Sequence, residues 1–301
     1  MLCPVCQAEV GAPWAIAKDV EYQTSDKDYA YRYCSCGVLY LENPPIHELS
    51  TIYPDNYYSY ASERSSWIVE LKRRRDEKYF NRLFEHLASD ELHVLDIGGG
   101  SGYLSSIVRS VDKRVTSTTI VDLDPKLQET LTKQGHIFIC GSIEDLQLEA
   151  KYDVVLMFNL IEHVSNPCKI LDQVKSVLKP GGLVIIQTPN FDSWDARVFR
   201  NYSWGGLHTP RHWVIFNETS LRRELVRADL PVIDVRYVQG APFWAVSLLA
   251  WGFQKFWARL PKRSMVSMKT YWCFLCLAAG LDLVRARLGF KTSQMIAVCR
   301  A

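Results

Sequence analysis

A glycine turn with acidic residues on either side is the segment of the chain best suited to hold a small ligand. It spans residues 96–102 and reads Asp-Ile-Gly-Gly-Gly-Ser-Gly. Glycines after a strand let the backbone approach a ligand closely, and the helix that follows offers free N–H groups. Asp122 ends the next apolar stretch, about where a carboxylate accepts hydrogen bonds from ribose hydroxyls. These residues predict a site for a nucleoside-containing ligand.

The spacing of the glycines separates two classes of such ligand. A dinucleotide-binding dehydrogenase has the pattern G-x-G-x-x-G, which Gly98 and Gly100 fit. Tyr103 stands at its third position, and the glycine falls at Gly102 instead. Asp96, just before the turn, would crowd a pyrophosphate, whereas S-adenosylmethionine (SAM) has no phosphate and carries an ammonium group. The turn therefore favours SAM, with NAD as the alternative.

The order of motifs resembles that of the class I SAM-dependent methyltransferases. Residues 94–102 resemble the first motif of this family, residues 121–124 its acidic loop, and residues 141–146 the loop that flanks the adenine. Residues 153–155, 162–164 and 178–182 complete the pattern, so the resemblance covers residues 90–240. It implies a methyltransferase that uses SAM as its cofactor.

The resemblance also implies which residues contact SAM. Those on the methionine side are Asp96, Gly98 and Gly100; Asp122 holds the ribose; and Ser142 and Ile143 flank the adenine. The further expected contacts are Gly102, Leu123 and Asn159. Ser142 departs from the family, which often has Asp there. Tyr57 and Tyr58 are expected to cover the cofactor from the N-terminal side.

Three histidines are candidates for a base that takes a proton from the acceptor. His163 lies in the segment after the fourth strand, which faces the acceptor in this fold. That segment lacks the Asn-Pro-Pro-Tyr pattern of enzymes that methylate amino nitrogens, which favours oxygen or carbon as acceptor. Imidazole titrates near neutral pH and suits this role. His208 and His212 are rival candidates, and Arg211 is expected to bind an anionic group such as phosphate.

Structural roles are open to the same residues. Glu162 and His163 would also serve as a capping and packing pair at a helix start, and residues 204–216 as a lid held by aromatic packing. The segment at Glu162 also resembles ubiquinone-pathway O-methyltransferases, in which E-x-x-E-H binds a divalent metal. Asn159 replaces the first Glu, which disfavours a metal there.

Four N-terminal cysteines have spacings suited to structural zinc: Cys3, Cys6, Cys34 and Cys36. Four thiolates around Zn²⁺ would organise a segment too short to fold on its own core. The chain resembles a subgroup of bacterial methyltransferases (types 11, 12 and 23) that carry such an N-terminal zinc ribbon. The second pair is C-x-C and one residue short, so a degenerate, disulfide-prone remnant is the alternative. Four protein ligands leave no open position, so the expected role is structural.

Residues 241–290 are aromatic and apolar and predict a helical cap. A cap packed on the sheet, with a homodimer contact, is favoured over helices that rest in a membrane interface and reach a lipid-linked acceptor. Cys273 and Cys276 are interpreted as buried core thiols. The longest apolar stretch, residues 271–281, is about half of the ~20 residues that a membrane span needs, so no transmembrane helix is predicted.

The elements that must position these residues alternate between strand and helix. Apolar strands are predicted at residues 93–97, 115–123, 137–140, 153–158 and 183–187, and a turn at residues 179–182. Strands that are apolar throughout, separated by helices, indicate a parallel sheet covered on both faces. The predicted fold is α/β, with a Rossmann-like, seven-stranded, mostly parallel sheet, an N-terminal zinc ribbon and a helical C-terminal cap.

The sequence predicts five parts of the chain. They are a zinc-ribbon-like module (1–45), a linker with a helix (46–89), the SAM-binding core (90–240), the aromatic cap (241–290) and a final core strand (291–301).

Bulk properties limit the function classes. The 301 residues carry a net charge of +2, so a nucleic-acid partner is not expected. Nine cysteines and no apolar signal segment favour a reducing, cytoplasmic location, with peripheral contact to the inner membrane face as an extension. We expect a SAM-dependent O- or C-methyltransferase of a small molecule, sugar or lipid-linked glycan precursor. The alternatives are an rRNA methyltransferase with a zinc ribbon and a non-catalytic SAM-fold binding module.

Overall fold

Two sheets organise the chain, and each combines strands from distant parts of the sequence. The computed structural model describes residues 2–54, 67–146, 151–257 and 264–301. The strands are β1 (Ala12–Ala17), β2 (Tyr29–Tyr33), β3 (Leu39–Leu41), β4 (Leu92–Ile97), β5 (Val115–Asp122), β6 (Ile137–Cys140), β7 (Tyr152–Phe158), β8 (Leu178–Pro189), β9 (Val214–Ile215), β10 (Val232–Val238) and β11 (Gln294–Arg300).

Helices connect most of these strands. They are α1 (Leu49–Ile52), α2 (Trp67–Phe84), α3 (Tyr103–Val111), α4 (Gln128–Lys133), α5 (Pro167–Val177), α6 (Trp194–Phe199), α7 (Glu218–Arg227), α8 (Ala241–Gly252) and α9 (Lys269–Arg287). Short 3₁₀ turns occur at Pro125–Leu127, Arg200–Tyr202, Gly205–Leu207 and Met265–Ser267, and a π-helical turn at Phe253–Trp257.

The larger sheet has the order β10-β11-β8-β7-β4-β5-β6. Its members from β8 to β6 are parallel, and β11 runs antiparallel to both of its neighbours. Successive side chains of a strand point to opposite faces, and here Leu95 packs with α5 while Val94 packs with α2 and α3. The predicted Rossmann-like, seven-stranded, mostly parallel sheet with helices on both faces is confirmed.

The predicted turn at residues 179–182 is instead part of β8. Pairing between β7 and β8 shifts from Tyr152 opposite Leu178 to Val154 opposite Leu183, so the extra residues form a bulge. Gly181 has a φ of +78°, and a Cβ at Gly182 would lie 2.9 Å from the Asp153 carbonyl oxygen. The glycines are needed because the backbones approach closely, and this allows the strand to continue.

The smaller sheet joins the N-terminal segment to the core. It is antiparallel, with the order β1-β2-β3-β9, and Leu39 pairs with Ile215. The Leu41 N–H also donates to the Trp213 carbonyl at 2.8 Å. The segment that carries His208 and His212 is therefore fixed to the N-terminal strands by backbone hydrogen bonds.

The C-terminal cap is a pair of helices inserted between β10 and β11. Helix α8 is largely buried, whereas α9 buries Tyr271, Ala278 and Asp282 and exposes much of its other side. The interpretation of Cys273 and Cys276 as buried thiols is wrong, because both are exposed on that other side. Among the described helices, none has both the length and the apolar character needed to cross a membrane.

Candidate functional site

A cavity of about 580 Å³ opens where the parallel strands of the larger sheet end. Such a position is the usual ligand crevice of an open α/β sheet, since loops from neighbouring strands converge there. Its walls include Ile97, Asp122 and Phe158, the last residues of β4, β5 and β7. The lining adds Gly98, Val121, Leu123, Gly141, Ser142, Ile143, Glu144, Asp145, Asn159, Leu160, His163, Val164, Ser165, Trp213, Ile46, His47, Leu49 and Tyr53.

The glycine turn forms one wall through left-handed backbone conformations. Gly98, Gly100 and Gly102 have φ values of 72°, 51° and 76°, a region that residues with a Cβ rarely adopt. A Cβ on Gly98 would also lie 2.9 Å from the Leu160 side chain. The turn therefore depends on glycine, and it brings backbone rather than side chain to the cavity.

Asp122 stands at the centre of this wall. Its Oδ2 accepts the Gly100 N–H at 3.0 Å, and its Oδ1 accepts the Asp124 N–H at 3.1 Å. Burial raises the pKa of this carboxyl above its ordinary value. A carboxylate oxygen has two lone pairs, so each oxygen retains capacity for a hydroxyl donor. The residue both fixes the turn and presents an acceptor to the cavity that it lines.

Asp96 lies beneath the turn rather than at the cavity surface. It is 2% exposed, and its Oδ2 accepts the Ser105 hydroxyl at 2.8 Å. Burial, together with the nearby Asp122 charge, raises the pKa of Asp96 to about 6. A Cβ on Gly99 would lie 2.8 Å from the Asp96 carboxyl group. The carboxyl group is thus packed directly under the turn.

The structure places the other predicted cofactor residues in two groups. Leu123, Ser142, Ile143 and Asn159 line the cavity with Gly98 and Asp122. Gly100 and Gly102 shape the turn and are not among the lining residues. Tyr57 and Tyr58 lie outside the described residues.

The three candidate histidines form one cluster, but only His163 lines the cavity. The His163 ring centroid lies 4.6 Å from that of His212, and His212 lies 5.0 Å from His208. His163 Nδ1 is 2.9 Å from the Tyr53 hydroxyl and 3.0 Å from the Arg211 carbonyl oxygen. Burial, with the neighbouring His208, lowers the pKa of His163 to about 3, so its imidazole is neutral at pH 7.

His212 and His208 lie behind His163. The His212 Nδ1–H donates to the Gly206 carbonyl at 2.8 Å, which leaves the lone pair on Nε2. Burial lowers the pKa of His212 well below its ordinary value. His208 Nδ1 lies 2.9 Å from a carboxylate oxygen of Glu21. Both rings are buried, at 3% and 5% exposure, and neither lines the cavity.

Glu162 completes a group of possible metal donors. Its Oε2 accepts the Thr188 hydroxyl at 2.9 Å, while its Oε1 has no hydrogen-bond partner among the described residues and lies 3.9 Å from His212 Nε2. Burial raises the pKa of Glu162 to about 8. Ligand atoms of Glu162, His163 and His212 all lie within 4.8 Å of one another. Two imidazoles and a carboxylate fit a divalent transition metal.

The alternative of a helix-capping role for Glu162 and His163 is wrong. Helix α5 begins at Pro167, and its N-cap is Asn166, whose side chain accepts the Lys169 N–H at 3.0 Å. The expected metal pattern also differs from the structure, because Asn159 is bonded to Gln294 at 3.1 Å while His212 joins the donor group.

Arg211 does not face the cavity, so the expectation that it binds an anion is wrong. Its side chain is fully buried and forms a salt bridge with Asp19 at 3.1 Å. Its Nε donates to the Ile52 carbonyl at 2.6 Å. Burial opposes ionisation of Asp19, but the Arg211 charge and hydrogen bonds outweigh it and hold the pKa of Asp19 below its ordinary value. The pair ties the N-terminal segment to the histidine segment.

Two residues that contact the histidine cluster could not be predicted from the sequence. Tyr53 reaches His163 from a segment 110 residues earlier, and Glu21 reaches His208 across 187 residues. Neither lies in a motif, so only the folded chain reveals them.

The four N-terminal cysteines converge at the turn between β2 and β3. Their sulfur atoms lie within 4.8 Å of one another, with Cys3 to Cys36 at 3.7 Å and Cys6 to Cys34 at 3.4 Å. Thiolates at about 2.3 Å from a tetrahedral Zn²⁺ are about 3.8 Å apart. The cysteines are free thiols in this structure, and their arrangement fits a zinc ion.

Comparisons with known proteins agree with this geometry. Residues 70–235 match a family model described as "Methyltransferase domain". The mitochondrial ubiquinone biosynthesis O-methyltransferase of Candida albicans is 31% identical over 144 residues, which cover 43% of this chain and 42% of that protein. The ubiquinone biosynthesis O-methyltransferase of Bradyrhizobium sp. (strain ORS 278) is 32% identical over 107 residues, or 33% and 40%. The chain spans about two fifths of the length of these curated relatives.

Two solved structures show the same fold at low sequence identity. A coclaurine N-methyltransferase bound to N-methylheliamine and SAH has a TM-score of 0.52 and 17% identity, and the match covers 85% of this chain and 81% of that one. A putative sarcosine dimethylglycine methyltransferase from Galdieria sulphuraria has a TM-score of 0.52 and 16% identity, with 77% and 87% covered.

Proposed function

The chain belongs to the methyltransferase domain family, and from this premise we propose that it is an enzyme that transfers a methyl group from SAM to an oxygen or carbon of a small molecule. The cavity carries this proposal, because a glycine turn and Asp122 meet there at the ends of the parallel strands. A carboxylate at the end of the second parallel strand suits a ligand that carries ribose hydroxyls.

Binding of the donor is tested first. A ligand that binds only the folded state raises the melting temperature, so SAM should do so and NAD(H) should not. Asp122→Ala should abolish most of the shift, because it removes the expected ribose acceptor and releases the Gly100 N–H. Unchanged melting with SAM in both proteins would contradict the proposal, and a shift with NAD(H) would indicate a dehydrogenase.

His163 is the proposed proton acceptor. In the reaction the acceptor oxygen or carbon forms a bond to the methyl group, the methyl–sulfur bond breaks, and the acceptor proton moves to the imidazole. His163 lines the cavity, and its ring is neutral at pH 7 and so has a lone pair for the proton, although a pKa of about 3 makes it a weak base. Turnover should fall strongly in His163→Ala. If turnover fell in His208→Ala or His212→Ala and stayed unchanged in His163→Ala, one of those two histidines would be the proton acceptor instead.

The donor group of Glu162, His163 and His212 provides a second role for the same ring. A divalent metal held there would lower the pKa of an acceptor hydroxyl and orient it. Metal analysis of purified wild type and His212→Ala separates the roles. Metal that is lost on this substitution indicates coordination, whereas unchanged metal content leaves His163 as the base.

An oxygen of a small molecule, sugar or lipid-linked glycan precursor is the proposed acceptor. Two curated relatives are O-methyltransferases by name, which supports oxygen. Incubation with SAM and either a metabolite extract or sugar nucleotides, read by mass gain of one methyl group, identifies the acceptor. Steeply salt-sensitive binding to ribosomal RNA would favour an rRNA acceptor instead. SAM binding without any methyl transfer would favour a binding module.

The four N-terminal cysteines are proposed to hold structural zinc, which the sulfur distances support. Zinc released by thiol modification should be lost in Cys3→Ser and Cys36→Ser and retained in the exposed-thiol control Cys140→Ser. Zinc-free protein with an unchanged melting temperature would contradict this assignment.

A further inference from the structure

One side of helix α9 exposes large apolar side chains that the proposed reaction does not use. Leu277 is 72% exposed, Leu288 69%, Trp272 59% and Val284 55%. Leu281 and Phe290 add to the same surface. Large contiguous apolar patches are uncommon on soluble proteins and usually mark an interaction site.

The spacing shows that these side chains form one stripe. Residues 277, 281, 284 and 288 follow one another by four, three and four positions, which places them on one face of a helix. Tyr271, Ala278 and Asp282 form the opposite, buried face. Both sides of α9 therefore carry apolar side chains, although the described residues cover only one of them. Because such an exposed stripe usually marks an interaction site, we expect a partner there.

The charge around the stripe identifies the kind of partner. Residues 241–291 contain eight cations, of which Arg259, Lys262 and Arg263 lie outside the described residues; the described ones are Lys255, Lys269, Arg285, Arg287 and Lys291. Asp282 is the one acidic residue of this stretch, and it is buried and bonded to Arg285 at 2.9 Å. Lys269 and Arg287, at the two ends of α9, are exposed. Arg285 and Lys291 are paired with Asp282 and Asp192, so the described surface is apolar along its centre and carries exposed cations at the two ends of α9.

We propose that this surface of α9, with the flanking residues Trp272 and Phe290, docks the protein onto an anionic lipid bilayer. A helix with such a face lies in the interface plane, with apolar side chains among the acyl chains and cations at the headgroups. A second copy fits less well, because a symmetric contact would bring the same cations of both copies together. This inference does not depend on the proposed methyl transfer.

The docking surface is physically connected to the candidate site. Ser247 of α8 accepts the Gly205 N–H at 2.8 Å, and Phe243 packs against His212 with ring centroids 6.4 Å apart. Helix α8 packs in turn against α9 through a shared apolar cluster that includes Tyr271 and Leu249. A bilayer on α9 would therefore lie beyond the wall of helices that backs the histidine cluster.

Vesicle sedimentation with the full chain, without SAM or acceptor, tests the proposal. We expect binding to vesicles of phosphatidylcholine mixed with phosphatidylglycerol, weakened by salt, and little binding to phosphatidylcholine alone. Leu277→Ser with Val284→Ser should lower the partition coefficient by about a hundredfold or more, because the two substitutions remove two large apolar side chains from the bilayer contact. Lys269→Gln and Arg287→Gln should each lower it about fivefold.

Val226→Ser is the matched control, because Val226 is 66% exposed on α7 and should leave binding unchanged. Circular dichroism and an unchanged melting temperature show that each variant folds. Failure of the wild type to bind anionic vesicles would overturn the proposal. So would equal binding of the Leu277→Ser, Val284→Ser variant, or a solution dimer that these substitutions dissociate, which would assign the surface to a second copy. A normal SAM-dependent melting shift alongside failed vesicle binding would leave the proposed function standing.

Discussion

On one side of the cavity, the walls come from residues 97–98, 121–123 and 141–145, each a short segment at the end of a parallel strand. On the other side, His163 contacts Tyr53 and Arg211, and Arg211 bonds in turn to Asp19. The first side consists of local turns attached to one sheet. The second side assembles residues from four distant segments of the chain.

This difference indicates how each side tolerates change. The glycine-turn side is defined by backbone conformation, so substitutions there should alter ligand affinity more than folding. The histidine side contains a buried ion pair and the two buried rings of His208 and His212, so substitutions there should alter stability as well as chemistry. Substitutions on the two sides of the cavity should therefore have different effects on stability and on ligand affinity.

Arg211→Met should have the largest effect on stability. It leaves Asp19 buried without its cation, which costs about 3–5 kcal/mol in free energy of unfolding. Urea unfolding measures this, and Asp19→Asn combined with Arg211→Met should recover part of the loss. The control Arg236→Met breaks an exposed pair with Asp234 and should cost at most ~1 kcal/mol. Equal costs for the two single variants would contradict the division.

Asp122→Asn should chiefly weaken SAM binding. Asparagine cannot replace a carboxylate that accepts hydroxyl and backbone donors, so affinity should fall roughly 100-fold, or about 2.7 kcal/mol. Calorimetric titration measures the affinity, and Glu129→Gln on the exposed surface of α4 is the control. A large loss of folding stability with unchanged SAM affinity would show that Asp122 behaves like a residue of the histidine side.

Asp96→Asn should change how stability depends on pH. Because burial raises the pKa of Asp96 to about 6, the folded state binds this proton more tightly than the unfolded state. The resulting stabilisation is complete below the ordinary value of 3.8 and is lost as pH rises through about 6. Wild type should therefore lose roughly 3 kcal/mol relative to the variant across this window.

Urea unfolding at a series of pH values checks this prediction. The exposed control Asp90→Asn should follow the wild-type curve throughout. Parallel curves for wild type and Asp96→Asn would show that the buried carboxyl does not titrate differently on folding.

Tyr53→Phe should have the smallest effect of the four. It removes the hydroxyl that lies 2.9 Å from His163 Nδ1, and a hydrogen bond of this kind contributes about 1 kcal/mol. The turnover number should fall several-fold and its pH profile should shift, with little change in SAM affinity. Tyr33→Phe, at a half-exposed ring against Phe191, is the control. If the variant instead bound SAM more weakly and kept normal turnover, Tyr53 would belong to the glycine-turn side of the cavity.

Local sequence patterns predicted the sheet and the glycine turn well. Strand β6 spans the predicted residues 137–140, and β4 and β7 each begin one residue before the predicted run and end with it. The failures occurred where long-range contacts decide. Arg211 was expected to face a substrate, but a partner 192 residues away neutralises it. Cys273 and Cys276 were expected to be buried, but α9 packs through its other face.

The sequence by itself determined the glycine-turn side of the cavity, because glycine conformations and strand-end carboxylates act over a few residues. It also determined the fold class, since apolar strands alternating with helices can bury their side chains in few ways. The tertiary structure alone decided which histidine reaches the cavity, what Arg211 binds and which face of α9 stays exposed. Those outcomes depend on packing between distant segments, and no local pattern specifies that packing.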